Sequence, residues 1–366
     1  MPRIPDALNQ QSRDVLHALL DSPRLCLNEF DMMSNSAQLQ QLDEVGYRES
    51  AFLDGRAVTT GADPVSLPLS PLLQIWPLVA APRERTHFVF HIGHCGSTLV
   101  SRLLGQLPGI FSVREPPVLL QLAQMRRYML SAPIAPVDAL TQPQWRQLFD
   151  FGMTLLARSW RQGDVACIKP TSHANNLIAD LLGWHPQSRA VLLFIGLERY
   201  LATMLVADRE AETDRALVES RLADFARISR AAAPPIAQLA PGERAALVWL
   251  VEMHEFAQAF AAPATTPRSL ALDFDRFLQN PSDCLYSAAE FLTDVPPDSA
   301  RVDALLSGPL MRQYSKSAGA AYDAQVRQAA LNSTASARQA DIASGMRWAA
   351  ETARRFPVFE AASNRF

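Results

Sequence analysis

At 366 residues, 48% hydrophobic and 19% charged, the chain has enough apolar material for one large α/β domain or a domain with an appendage. A net charge of -3, with basic residues scattered along the chain, excludes the electrostatic footprint of a nucleic-acid binder. Cys26, Cys95, Cys167 and Cys284 have no paired spacing, and the most apolar stretch, residues 72–81, is short and carries Pro77. No signal core follows the Met-Pro-Arg-Ile-Pro-Asp start. Free thiols, no membrane span and a cytoplasmic location are therefore the expectation.

In chain order, Val15, Leu16, Leu19 and Leu20 fall at helical spacing with Ser12 as N-cap, and residues 51–69 read as short extended pieces around the Asp54-Gly55 and Gly61-Ala62 turns. Pro68, Pro71, Pro77 and Pro82 punctuate the approach to a different pattern, so residues 1–85 are expected to form an extension packed on a core of residues 86–366. From Thr86 onward, apolar runs fit for buried strands alternate with helical spacing. The strands are expected at 87–92, 110–113, 165–168, 190–195 and 269–272. Helices are expected at 97–107, through much of 117–161, at 217–230, 243–260 and 282–292, with a helical C-terminal region. This alternation predicts an α/β fold with a parallel central sheet of about five strands flanked by helices. In such sheets ligands lie beyond the carboxyl ends of the strands.

The strongest motif is Phe88-Val-Phe-His-Ile-Gly-His-Cys-Gly-Ser-Thr-Leu99. Gly93 and Gly96 let successive backbone N–H groups, those of Cys95 included, turn toward one point. Ser97 and Thr98 add hydroxyls at a helix N-terminus, where the dipole favours an anion. Only two residues separate the glycines and no lysine follows, so this is not a Walker A loop. It suits a phosphate held without a metal. His87 and His91, four residues apart on one strand, lie about 13 Å from each other and cannot share an ion. Of the 34 basic side chains only Lys169 and Lys316 are lysines, which singles out both as positions where a compact ammonium matters.

This strand-loop-helix block resembles the 5′-phosphosulfate loop of the sulfotransferases, which use 3′-phosphoadenosine 5′-phosphosulfate. Further blocks follow in the family's order. Ser112-Val-Arg-Glu-Pro-Pro117 is similar to the acidic segment of the tyrosylprotein-type enzymes, and Cys167-Ile-Lys-Pro-Thr-Ser172 to the lysine-bearing strand end. Residues 190–199 stand at the 3′-phosphate strand, and residues 270–281 resemble the late strand-helix block. The resemblance spans roughly residues 86–320 and implies a P-loop NTPase-like sulfotransferase fold. The sequence departs from the family at three places. His94 stands where a lysine or arginine is usual. Gly196 and Met204 stand where the 3′-phosphate arginine and serine are expected, with Arg199 and Thr203 as shifted replacements. The basic glycine loop is matched only by residues 312–319, which include Lys316.

The resemblance implies these roles. Gly93, Cys95, Gly96, Ser97 and Thr98 cradle the 5′-phosphate, and Arg199, Thr203 and Lys316 serve the rest of the nucleotide. His94 and Lys169 steady the leaving oxygen and the transferring group. Glu115 takes the acceptor's proton, with His173 as the rival base. The acceptor, a small molecule or a biopolymer, is not legible, and a homodimer is compatible with the sequence. One alternative is a nucleotide-binding protein of the same family with weak or lost chemistry. Another is a hydrolase with Cys95 as nucleophile, which would need a glycine where Ser97 stands.

Overall fold

The computed structural model describes residues 19–20, 22–79, 86–131, 140–206, 215–312 and 324–366. Ser12, Val15, Leu16, Pro82 and Lys316 lie outside the described residues. Beyond Thr86, the expected alternation is realised as a sheet of five parallel strands. These are β4 (Thr86–His91), β5 (Ile110–Arg114), β6 (Val165–Lys169), β7 (Ala190–Phe194) and β8 (Ser269–Asp273). Their order is β5-β6-β4-β7-β8, which puts β4 at the centre and makes the order reverse beside it. Every residue of β5, β6 and β7 is buried, which is why the sequence shows unbroken apolar runs instead of alternation.

Helices cover the sheet. α3 (Ser97–Leu104) follows β4 and stops at Gly105, short of the expected residue 107. α4 (Pro117–Ser131) and α5 (Gln142–Leu156) follow β5. The latter starts with a capping box in which Thr141 and Gln144 satisfy each other's backbone N–H groups. A 3₁₀ turn (Ser172–Leu177) leads from β6 into α6 (Ile178–Trp184), and α7 (Leu197–Met204) follows β7. α8 (Arg215–Ser229) and α9 (Pro241–Gln258) form the long pair before β8. After β8 come α10 (Phe274–Gln279), α11 (Pro281–Thr293) and α12 (Ser299–Ser307), then a helical C-terminal region of α13 (Ala324–Ala337), α14 (Gln339–Arg355) and α15 (Pro357–Ser363).

The segment before the main sheet holds more order than the sequence indicates. β1 (Leu25–Asp31), β2 (Ser36–Gln41) and β3 (Val65–Pro68) form an antiparallel sheet in the order β1-β2-β3. The register of β1 shifts between Leu27 and Glu29, so Cys26, Leu27 and Phe30 are all buried and the period-two signal is lost. The edge of β1 is sealed by a side chain: Gln121 of α4 accepts from the Phe30 N–H at 2.8 Å and donates to its carbonyl at 2.6 Å. α1 (Glu44–Glu49) lies between β2 and β3, and α2 (Leu69–Val79) follows β3. α2 contains Pro77, which has no N–H to offer the Leu73 carbonyl one turn back; Gln147 donates to that carbonyl instead, at 2.9 Å. Among the described residues no helix is long and apolar enough to cross a membrane.

Candidate active site

The chain after β4 turns through three left-handed residues, Gly93 (φ 83°), His94 (φ 49°) and Gly96 (φ 76°), before α3 begins at Ser97. Gly96 is required twice over. Its φ is one that a side chain disfavours, and a Cβ there would sit 2.0 Å from the Phe274 ring. Phe274, the first residue of α10, is thus laid directly on the loop. No side chain caps α3 at its N-cap Gly96. Among the described residues, the hydroxyls of Ser97 and Thr98 make no hydrogen bond, although both residues are nearly buried, at 5% and 3% exposure. A helix N-terminus with uncommitted donors is a receptor for an anion.

Cys95 points the other way. Its thiol donates to the Leu193 carbonyl of β7 at 3.4 Å, is fully buried, and is pushed by that burial up to about 12. Burial disfavours the exposed thiolate that the hydrolase alternative requires. Its own role in the loop is that of a packed side chain.

The second half of the site is the carboxyl end of β5 and β6, where Arg114 pairs with Lys169 in register. One residue on, Glu115 adopts φ 50°, an uncommon conformation for a residue with a side chain. Two bonds hold it there. Its N–H donates to the Lys169 carbonyl at 2.6 Å, and its Oε1 receives the Lys169 ammonium in an ion pair. Lys169 is fully buried and Glu115 partly so, and the Phe52 ring lies 5.7 Å from Nζ. The structure thus joins Glu115 and Lys169, far apart in sequence, into one unit.

His91 links this unit to the loop, and the sequence reading considered it only as a metal ligand. Its Nδ1 accepts from the Gly93 N–H at 3.1 Å, so the proton is on Nε2, which donates to the Pro170 carbonyl at 3.0 Å and lies 3.7 Å from Glu115 Oε1. His87 faces a separate task, accepting from the Arg189 N–H at 3.1 Å, and is fully buried. His173 lies half-buried in the 3₁₀ turn, where its carbonyl accepts from Arg127 at 3.2 Å. Its neighbour Ser172 borders the loop: the Ser172 hydroxyl would be 3.4 Å from a Cβ at Gly93.

A buried ionic cluster that sequence reasoning missed holds this turn in place. Arg221 donates to Glu252 at 2.8 Å, to Asp224 at 3.3 Å and to the Ser172 carbonyl at 2.8 Å. Arg127 adds a bond to Asp224 at 2.9 Å. Asn175 then connects the cluster to the end of β4, donating to Glu252 at 2.6 Å and to the His91 carbonyl at 2.9 Å. Glu252 is fully buried, and desolvation raises its pKa. Buried charges of this kind are stable only as a fully bonded set, which makes the cluster a rigid backing for the loops.

Of the residues expected at the 3′-phosphate end, Arg199 and Thr203 lie among the described residues and Lys316 does not. Arg199 is bound by Asp275 of α10 at 3.2 Å and by Gln328 of α13 at 2.6 Å. Thr203 is fully buried in α7. α13 lays Arg327 over the Phe274 ring at 5.6 Å, bringing a cation to the ring that covers Gly96. No signal in the sequence marks Arg327 for this.

Neither a protein-family model nor a curated protein matches the chain. Solved structures similar to it include a sulfotransferase from Alicyclobacillus acidocaldarius, at 15% identity and a TM-score of 0.34, covering 73% of this chain and 96% of that one. The sulfotransferase domain of the Synechococcus PCC 7002 olefin synthase is similar at 16% identity and a TM-score of 0.41, covering 75% and 96%. A sulfotransferase from Mycobacterium avium is similar at 16% identity and a TM-score of 0.35, covering 73% and 79%. This chain itself shows a five-stranded parallel sheet flanked by helices, with a glycine loop after the central strand and a lysine at the end of β6.

Proposed function

We propose that the chain transfers a sulfuryl group from 3′-phosphoadenosine 5′-phosphosulfate to a hydroxyl or amine acceptor. One observation carries this reading: an anion-ready loop with uncommitted hydroxyls at Ser97 and Thr98 adjoins a buried Lys169–Glu115 pair through His91. The 5′ end of such a donor fits the loop, because the left-handed turn at Gly96 leads into an N-terminus of α3 that no side chain caps. At the expected 3′ end, Arg199 is held by Asp275 and Gln328, so a 3′-phosphate would have to compete for it.

When bound, the donor supplies an activated sulfuryl group on a phosphate leaving group. Glu115 Oε1 meets Lys169 and His91, which leaves Oε2 to receive the acceptor's proton as the new bond to sulfur forms. The N-terminus of α3 holds the charge that builds on the departing phosphate oxygen, and the buried Lys169 acts from behind by fixing the Glu115 carboxylate. His94, at the apex of the loop, reaches that oxygen as an N–H donor or, when protonated, as a cation. The substitution of His94 for the usual loop cation favours a second reading, a nucleotide-binding protein with weak chemistry.

The test is transfer of labelled sulfate from the donor to a panel of alcohols, phenols and amines, alongside Lys169→Met and Glu115→Ala. Turnover with at least one acceptor, lost in both variants, is expected. Nucleotide binding with no turnover on any acceptor selects the second reading, and neither binding nor turnover rejects both.

A further inference from the structure

The segment around residue 52 belongs to the extension, outside the main sheet, yet it reaches the Lys169–Glu115 pair. Phe52 is 5% exposed and its ring carries two cations, Lys169 Nζ at 5.7 Å and the Arg56 guanidinium at 3.9 Å from the centroid. Both lie within the range at which an ammonium or guanidinium is held by an aromatic face. Arg56 is itself bonded to Asp54, with Nε at 2.9 Å from Oδ1.

The placement of Phe52 is imposed by the strand end that bears Glu115. Leu53 N–H donates to the Arg114 carbonyl at 2.8 Å, which locks the residue after Phe52 to the residue before Glu115. The Arg114 side chain, 2% exposed, turns back under the same segment. Its Nε donates to the Ser50 carbonyl at 2.8 Å and Nη2 to the Arg48 carbonyl at 3.0 Å, with a further bond to Tyr47. These are the orphan carbonyls at the end of α1, which a cation caps well. One residue, Arg114, thereby fixes both the extension and the register that sets Lys169 beside Glu115.

From this geometry we infer that Phe52 is a positioning residue for the site: it shuts water away from the Lys169 ammonium and supplies the π face that holds Nζ against Glu115. This rests on the reading of Lys169 as part of the transfer machinery, but its test does not need turnover. The whole chain contains two lysines, Lys169 and Lys316, so lysine-selective acylation followed by peptide mass spectrometry reads Lys169 individually.

In the folded wild type Lys169 is expected to resist acylation. Phe52→Ala should raise its rate about tenfold or more, the loss of one desolvated cation–π contact and its seal. Phe52→Leu, which keeps apolar bulk without a π face, should fall between the two. Leu39→Ala, in the core of the antiparallel sheet, serves as the control for general loosening of the extension and should leave Lys169 protected. Protection unchanged in Phe52→Ala, equal exposure in Leu39→Ala, or a Phe52→Leu variant indistinguishable from wild type would each overturn the assignment. A protein that binds no nucleotide yet shows the expected labelling order would reject the proposed activity and keep this one.

Discussion

Replacing Glu115 with Gln separates the structural from the chemical duty of the Lys169–Glu115 pair. Lys169 is fully buried, so removing the charge of its partner leaves an uncompensated ammonium where water cannot reach it. Breaking a buried pair from one side costs about 3–5 kcal/mol. The Gln carbonyl still accepts one hydrogen bond, so the lower end, about 3 kcal/mol, is expected. A chain of 366 residues unfolds with an entropy near 0.8 kcal/mol per degree on the usual per-residue scale, so the loss corresponds to a Tm lower by about 4 °C. The double variant Glu115→Gln with Lys169→Met removes the stranded cation and should recover most of that stability, while transfer stays abolished. Differential scanning calorimetry of the four proteins at pH 7.5 in moderate salt gives the cycle. Additive destabilisation in the double variant would refute the reasoning, because it would mean that the two side chains do not depend on each other.

Gly96→Ala should cost about 1–2 kcal/mol from its left-handed backbone alone and displace the Phe274 ring from the loop, so nucleotide binding should fail; calorimetric titration showing unchanged affinity would contradict the packing. Two neighbours on α9 titrate in opposite senses. Burial raises Glu255 to about 7 and lowers His254 to about 4. The folded state therefore holds an extra proton on Glu255 between its unfolded value near 4.5 and about 7, and stability from this group falls as pH rises through that window. His254 does the reverse, losing stability as pH falls from about 6.5 to about 4. Each is worth about 3 kcal/mol across its window, so they nearly cancel between pH 4.5 and 6.5. Glu255→Gln should uncover a loss of stability on acidification, and His254→Gln a loss on raising pH toward 7. Parallel urea midpoints for all three proteins across this range would show that the two groups are not buried as described.

Much of the scaffold is legible in the sequence because parallel strands buried on both faces leave unbroken apolar runs, as in residues 190–194, and because glycines with adjacent hydroxyls mark the loop. Lys169 stood out as one of two lysines, and Glu115 through its place after a strand. What stayed hidden depends on contacts between distant segments. Arg221, Asp224 and Glu252 each look like ordinary surface charges until α8 and α9 pack and bury them together. Arg199 and Thr203 share a helix by spacing, yet packing pairs the first with Asp275 and seals the second in the core. The bulge in β1 erased its alternation, and nothing local tells that Phe52 would come to rest on Lys169.

Isothermal titration with 3′-phosphoadenosine 5′-phosphate tests directly whether the turn after β4 seats the 5′-phosphate of a nucleotide. Saturable one-to-one binding by the wild type, weakened at least about tenfold in Ser97→Ala by loss of one charge-assisted hydrogen bond, is the predicted result. No heat of binding in the wild type, or equal affinity in the two proteins, would contradict it.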